Sequence, residues 1–248
     1  MIVPAMPGDV LADASRRQVR ASEVHAWAFA LEGPGDALER CAALLSEEER
    51  GRAARFHFPV HRDRYVLAHG LMRHVLARYA GVDPRALGFV EAPEGKPRLE
   101  NVPGLSFNLS HSHERALLAV GDGRELGCDV EQERDEVDML GIAGSYFFRS
   151  ELESIRSAGG AQATRERFFR HWVAKESVLK AEGCGLGFPL DKFEVAFDAS
   201  GEGATVTSFD ATRMKNDWTV RMLSLGPGWP AAVASKGRSW SLRLIPDS

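Results

Sequence analysis

Cysteine is scarce in this sequence. Its 248 residues include three, Cys41, Cys128 and Cys184, an odd number at wide spacing. No CxxC pair or Cys/His cluster occurs, so the pattern excludes a disulfide framework and a zinc or redox motif. Three reduced thiols are typical of a cytoplasmic protein, and we expect that location.

Long hydrophobic runs and an excess of positive charge are also missing. No apolar run approaches the roughly 18 residues that a membrane span needs, and residues 1–20 hold no apolar core of signal-peptide length. Lys and Arg number 31 against 35 Asp and Glu, a net charge of −4, whereas a dedicated nucleic-acid binder is usually basic. We expect a soluble, unanchored monomer with no membrane or nucleic-acid partner.

The remaining composition is that of an ordinary globular chain, with 44% hydrophobic and 27% charged residues. The length fits one large domain or two small ones. Residues 1–22 are polar, rich in small residues and expected to be poorly ordered. The predicted elements of the first half are a strand at Val24–Leu31, a helix at Asp36–Leu45, a capping box at Ser46 and Glu49, and a long helix from Pro59 to Gly81.

The second half begins with Gly95–Gly104, which glycine and proline mark as a loop. The predicted elements that follow are strands at Leu105–Leu109, Ala116–Val120 and Leu126–Glu131, helices from about Ser150 and at Thr164–Glu182, and short β-rich runs in the tail Phe193–Ile245. No internal repeat and no clean βαβ alternation occur. The pattern therefore predicts an α+β or mixed α/β class.

Helix Thr164–Glu182 carries charge inside its apolar arc. With about 100° per residue from Phe168, Glu176 lies near 80° and Lys180 near 120°, among large apolar side chains. A buried lone carboxylate is costly and needs a partner. One interpretation is an i,i+4 pair of Glu176 and Lys180 at the rim of the core, and the other is a functional site.

Two further segments break local rules. In GCDVE (127–131), Asp129 and Glu131 point to one face of a strand, where a hard cation such as Mg²⁺ or Mn²⁺ would relieve their repulsion; the alternative is an exposed strand end. In FNLSHS (107–112), a strand ends in hydroxyl and imidazole groups. Because no GxSxG elbow is present, His111 fits a donor to an anion better than a nucleophile pair; the alternative is a surface histidine.

Arginine is concentrated between Arg40 and Ala80. That span holds eight Arg and four acidic residues. A solvated helix face explains this concentration, and so does attraction of an anionic ligand or an acidic partner.

Taken together, these segments resemble the 4′-phosphopantetheinyl transferases, specifically the long, Sfp-like (surfactin-synthetase activator-like) kind. The resemblance runs from about Ser46 to Val195 and rests on four motifs in order: GKP (95–97), FNLSHS (107–112), GCDVE (127–131) and WVAKESVLKAEGCGLGFPLDKFEV (172–195). It implies an enzyme that transfers 4′-phosphopantetheine from coenzyme A to a serine of an acyl or peptidyl carrier protein. The implied metal is Mg²⁺, with Mn²⁺ as a substitute, and the released product is adenosine 3′,5′-bisphosphate.

The resemblance also assigns residues. It implies metal ligands at Asp129, Glu131 and Glu176, and catalytic roles for Glu176 and Lys180, with Lys180 on the phosphate next to the transferred group. The base is Glu176 or a metal-bound water. The residues implied to bind coenzyme A are Arg52, Lys96, Pro97, Asn108, Ser110, His111, Asp129, Glu176 and Lys180, with His111 and Arg52 on the 3′-phosphate.

The implied fold consists of two similar α+β halves around a pseudo-two-fold axis, with coenzyme A in the cleft between them. We place the boundary near Arg124, which divides the chain into an extension at 1–22, an N-terminal half at 23–124 and a C-terminal half at 125–248. Two alternatives remain: a metal-dependent nuclease, and a coenzyme A binding module without turnover. The identity of the carrier protein does not follow from the sequence.

Overall fold

Two sheets, each covered by helices on its outer face, form the framework of the computed structural model. It describes residues 2–33, 35–92, 95–184, 187–210, 212, 214 and 217–245. The first sheet has the order β11–β1–β5–β4. Its strands are β1 (Glu23–Ala30), β4 (Leu105–Ser112), β5 (Arg115–Asp122) and β11 (Ser241–Leu244), of which β11 runs parallel to β1 and the others pair antiparallel.

Four helices pack on this sheet, one from the extension and three from the N-terminal half: α1 (Pro7–Ala12), α2 (Gly35–Leu44), α3 (Glu47–Ala53) and α4 (Pro59–Ala80). The capping box of α3 is confirmed, since Ser46 Oγ accepts from Glu49 N–H at 3.2 Å and Ser46 N–H donates to Glu49 Oε2 at 2.8 Å. Helix α4 ends at Gly81, whose φ of +71° lies in the left-handed region that favours glycine.

The second sheet is antiparallel, with the order β6–β10–β9–β8–β7. Its strands are β6 (Leu126–Val130), β7 (Phe193–Phe197), β8 (Gly203–Ser208), β9 (Trp218–Ser224) and β10 (Pro230–Lys236). Three helices, α5 (Met139–Tyr146), α6 (Arg149–Arg156) and α7 (Ala161–Glu182), contribute to its core. Helix α7 lies directly on β6 and β10.

The inner faces of the two sheets share a third apolar cluster. Alternate residues of a strand face opposite sides, so β1 sends Trp27 and Phe29 toward the helices and Ala26 and Ala28 toward the other sheet. Cys128 and Val130 of β6 meet them from that sheet. The architecture is therefore helix, sheet, sheet, helix, which confirms an α+β class; the pseudo-two-fold axis stays a prediction.

The structure differs from the sequence-based expectations in three places. Residues 2–22, expected to be poorly ordered, contain α1, and Val10 and Leu11 are buried in the first core. The predicted loop Gly95–Gly104 contains β3 (Pro97–Leu99), a short strand paired with β2 (Phe89–Glu91), with Pro97 at its first position, where a missing N–H is tolerated. The tail returns to the first sheet as β11.

The passage from the first sheet to the second lies between the end of β5 and the start of β6, residues 123–125, close to the predicted boundary at Arg124. Because β11 belongs to the first sheet, the range 125–248 contributes to both sheets, and the division into halves stays a prediction. No helix of the described ranges is long and apolar enough to cross a membrane.

Candidate active site

Strands β4 and β6 meet at the junction of the two sheets, and side chains join them there. Alternate residues of β4 make these hydrogen bonds: Asn108 Oδ1 accepts from Cys128 N–H, Ser110 Oγ donates to Asp129 Oδ1, and Ser112 Oγ donates to Glu131 Oε2, each at 2.8 Å. Asp129 is 3% exposed and all of β6 is buried. The alternative of an exposed strand end at Asp129 is therefore wrong.

Gly127 allows α7 to approach β6 closely. A Cβ atom at this position would lie 2.3 Å from Ala181 N and from Ser177 O, a distance that no side chain allows. The close approach brings Lys180 to the strand, where its Nζ donates to Asp129 Oδ1 at 2.6 Å and to Ser110 Oγ at 2.9 Å. The ion pair of Lys180 thus runs to β6, not along its own helix as one interpretation of the sequence has it.

Asp129 and Glu131 are each held by hydrogen bonds to one carboxylate oxygen. Among the described residues, Asp129 Oδ2 and Glu176 Oε1 are buried and have no hydrogen-bond partner. Burial and the nearby Asp129 and Glu131 raise the pKa of Glu176 to about 7, although Lys180 acts in the opposite direction. Burial and Asp129 also raise the pKa of Glu131, against the hydrogen bond from Ser112. Burial would lower the pKa of Lys180, but contact with Asp129 raises it.

The donor chemistry of this cluster fits a hard divalent cation, because its open ligands are carboxylate oxygens. As the side chains stand, no group of three His, Cys, Asp or Glu residues within the described part of the chain could hold a metal ion. Mg²⁺ usually binds through one or two carboxylates together with water and substrate phosphates, so two open carboxylate oxygens are a sufficient protein contribution. The ligand set of Asp129, Glu131 and Glu176 stays a prediction.

A cavity of about 870 Å³ is lined by residues of α3, α4, β2 and β4. Its size suits a nucleotide-sized ligand. Of the residues that the sequence assigns to ligand binding, Arg52, Pro97, Asn108 and His111 line it. The structure thus places four of the predicted ligand residues around one cavity, and one of them, Asn108, also contacts β6 through the Cys128 N–H.

The chain is similar to known proteins in both of its halves. Residues 125–234 match the 4′-phosphopantetheinyl transferase superfamily model, and residues 34–122 match the 4′-phosphopantetheinyl transferase N-terminal model. The 4′-phosphopantetheinyl transferase HetI of a Nostoc species is 38% identical over 221 residues, which cover 88% of this chain and 90% of the relative. The chain belongs to the 4′-phosphopantetheinyl transferase superfamily.

A second relative agrees with this assignment. The 4′-phosphopantetheinyl transferase Sfp of Bacillus subtilis is 28% identical over 197 residues, which cover 79% of this chain and 84% of Sfp. A solved structure, the holo-[acyl-carrier-protein] synthase of Thermotoga maritima, aligns with a TM-score of 0.35 and 18% identity over 46% of this chain and 63% of that one. The protein is thus a 4′-phosphopantetheinyl transferase of the long, Sfp-like type, and the nuclease alternative is set aside.

His111 of the transferase is exposed at the cavity. Although the residue is exposed, protein atoms around the ring desolvate it, and with smaller effects from His69 and Lys180 this lowers the pKa of His111 below its ordinary value. The ring is therefore neutral near pH 7 in the free protein and offers one N–H donor. Its assignment to the 3′-phosphate stays a prediction.

Three other assigned residues have protein partners in the transferase. Ser110 gives its single hydrogen to Asp129, so a bond from its hydroxyl to phosphate requires that hydrogen to turn away. Lys96 Nζ donates to Leu126 O at 2.7 Å and Ala181 O at 3.1 Å and lines a separate cavity of about 320 Å³. Arg52 lies 3.7 Å from Glu48 and 3.9 Å from Glu91. Their nucleotide contacts stay predictions.

Several cavity residues are not expected from the sequence pattern. His69, to which that pattern assigns no role, stacks on Tyr65 with ring centroids 4.0 Å apart, and both line the cavity. Arg73, counted only as part of the Arg-rich span, is buried and donates to Glu49 Oε2 at 2.6 Å. These three residues share one face of α4 at i, i+4 and i+8, which is the signal that could have grouped them.

Proposed function

We propose that the transferase moves the 4′-phosphopantetheine group from coenzyme A to a serine hydroxyl of an acyl or peptidyl carrier protein, requires Mg²⁺ or Mn²⁺, and releases adenosine 3′,5′-bisphosphate. The observation that supports this most directly is the pair of buried, unpartnered oxygens of Asp129 and Glu176 beside Lys180. Asn108 and His111, on the strand that carries Ser110, line a cavity of about 870 Å³ that has room for a nucleotide. Family membership supports the transfer itself.

The reaction forms one P–O bond and breaks another. The serine oxygen attacks the phosphorus that carries pantetheine, and the bond from that phosphorus to the bridging oxygen of the pyrophosphate breaks, so adenosine 3′,5′-bisphosphate departs with the bond's electron pair. When bound, Mg²⁺ supplies the positive charge that lets the carboxylates and the pyrophosphate share one site. Asp129, Glu176 and Glu131 are the residues that would hold it.

The chain's own residues perform two tasks in this scheme. Lys180 is fixed at Asp129 and Ser110, where its ammonium group stabilises negative charge that develops on the phosphoryl oxygens and on the departing phosphate. The serine proton needs a base, and Glu176, whose buried Oε1 has no hydrogen-bond partner, is the candidate that this chain supplies.

The decisive experiment incubates the transferase with coenzyme A, Mg²⁺ and a panel of apo carrier proteins from fatty acid, polyketide and non-ribosomal peptide synthesis. We expect a mass gain of one phosphopantetheine on the carriers it serves. Binding of coenzyme A without any mass gain would instead support a binding module that lacks turnover.

Metal dependence is the next prediction. A chelator should stop transfer, and Mg²⁺ or Mn²⁺ should restore it. Asp129→Ala should raise the Mg²⁺ concentration that gives half-maximal rate, because fewer oxygen ligands weaken the site. Equal rates in chelator and in Mg²⁺ would exclude the metal.

His111 provides a test of the nucleotide orientation. A hydrogen bond to a charged phosphate is worth roughly 1.5–3 kcal/mol, about 10- to 150-fold in affinity. His111→Ala should therefore raise the KM for coenzyme A and change kcat less. With 3′-dephospho-coenzyme A, wild type and variant should perform almost alike, since the partner phosphate is gone. Equal losses with both donors would place His111 elsewhere in the mechanism.

A further inference from the structure

Asp129 of β6 and Glu131, the residue directly after β6, are each held by a serine of β4. Ser110 donates to Asp129, and Ser112, two residues further along the same face, donates to Glu131, two residues after Asp129. The equal two-residue steps match the period of a strand, so both serines face the same edge of the other sheet. The family resemblance implies no role for Ser112.

The surroundings of Ser112 direct its hydrogen to Glu131. Its hydroxyl donates to Glu131 Oε2 at 2.8 Å and accepts from Gln132 N–H at 3.3 Å. His113 Nδ1 lies 3.2 Å from the same oxygen and donates in the tautomer that carries its hydrogen there. A hydroxyl has one hydrogen and two lone pairs, so these three contacts use all of them.

Without that hydrogen bond Glu131 has another partner. Arg134 Nη2 lies 3.8 Å from Glu131 Oε2, and the arginine side chain is 43% exposed, so it is able to move toward the carboxylate. Ser112 is 8% exposed and sits on a strand, so it provides a fixed donor, whereas Arg134 provides a mobile one. The serine therefore decides which conformation Glu131 adopts.

We propose that Ser112 is a positioning residue for phosphopantetheine transfer: it fixes Glu131 through Oε2 and leaves the second carboxylate oxygen for the divalent cation. The inference rests on the proposed function. Partners that orient a metal ligand typically account for about 10- to 100-fold in metal affinity or activity.

Two variants of equal shape isolate the hydroxyl. Ser112→Thr keeps it, Ser112→Val lacks it, and both add one branch at Cβ that a strand accepts. Each protein, with coenzyme A present, is titrated with Mn²⁺, and free Mn²⁺ is followed by electron paramagnetic resonance. Ser112→Val should weaken Mn²⁺ binding by about 10- to 100-fold relative to Ser112→Thr. The Mg²⁺ concentration for half-maximal transfer should rise in parallel, with kcat at saturating Mg²⁺ much less affected.

The matched control is Ser177→Ala. Ser177 is also buried, but its hydroxyl donates to Ala174 O within α7, so its loss should leave Mn²⁺ affinity unchanged. Ser112→Ala replaces Ser112→Val if the latter does not fold, as judged by melting in chelator. Equal Mn²⁺ affinities of the hydroxyl-bearing and hydroxyl-free variants, with normal binding by the wild type, would overturn the role of Ser112 alone. A wild type that binds no Mn²⁺ and transfers in chelator would overturn the proposed metal dependence itself.

Discussion

Glu176→Gln should abolish phosphopantetheine transfer and leave the protein folded. The change nearly keeps the shape of the side chain. It removes the negative charge that a cation needs and the basic carboxylate that accepts a proton. Loss of a catalytic ligand or base typically costs about 10²-fold or more in rate. Transfer measured by carrier mass should therefore fall to background, and a variant that keeps more than about a tenth of the wild-type rate would contradict both roles of Glu176.

The stability of the same variant should depend on pH in a defined direction. Burial beside Asp129 and Glu131 raises the pKa of Glu176 from an ordinary 4.5 to about 7, so the folded protein holds this proton more tightly than the unfolded chain. A group of this kind loses its stabilising contribution as the pH rises through about 7. Glutamine carries no charge at any of these pH values.

In metal-free buffer, the melting temperature of Glu176→Gln should therefore match the wild type near about pH 4, below the ordinary pKa of a glutamate, and exceed it near about pH 8. Glu166→Gln is the matched control, since Glu166 also lies on α7 and bonds the exposed Gln162 at 2.9 Å. If the melting temperatures of Glu176→Gln and wild type differ by the same amount at both pH values, the surroundings do not raise the pKa of the Glu176 carboxylate.

The candidate site could be predicted from the sequence because its signals are local violations of ordinary patterns. Glu176 falls inside the apolar arc of a helix, and Asp129 and Glu131 share one face of a strand. Each conflict is visible within a few residues, and the structure shows the expected consequence, buried carboxylate oxygens without partners at Asp129 and Glu176. The capping box at Ser46 is local in the same sense and is confirmed.

The partners of these groups could not be predicted, because they come from distant parts of the chain. Lys180 binds Asp129, 51 residues away, and the sequence offers Glu176 as an equally plausible local partner. The pairing of β11 with β1 brings together segments from near the two ends of the chain. No property of Ser241–Leu244 identifies β1 as its neighbour. The packing of both sheets decides which strands become neighbours. That packing cannot be read from any single segment of the sequence.

Lys175 illustrates the same limit, with a consequence for stability. It lies next to Glu176, yet it points into the core, where its Nζ donates to both oxygens of Glu151, at 2.8 and 2.7 Å, and to Phe193 O at 2.7 Å. Both charged side chains are about 1% exposed. Burial lowers the pKa of Lys175 and raises that of Glu151, while each partner opposes the shift of the other.

Lys175→Met should destabilise the transferase strongly, because it leaves the Glu151 carboxylate in the core without its cation. Breaking a buried ion pair at one partner costs about 3–5 kcal/mol. For a chain of this size that corresponds to a fall in melting temperature of roughly 6–20 °C. Urea unfolding at neutral pH, with the m-value checked, measures the loss in free energy of unfolding.

The double variant Lys175→Met with Glu151→Leu separates charge from packing. Replacing both members of a buried pair by apolar residues of similar volume is often neutral or stabilising by about 1–4 kcal/mol, so the double variant should regain most of the stability that the single variant loses. Because α7 then keeps its place on β6, Glu176 and Lys180 should remain at Asp129 and transfer should continue. A stable double variant that binds Mn²⁺ like the wild type but does not transfer would instead assign Lys175 to the chemistry. A Lys175→Met variant as stable as the wild type would show that the ion pair contributes no net stability.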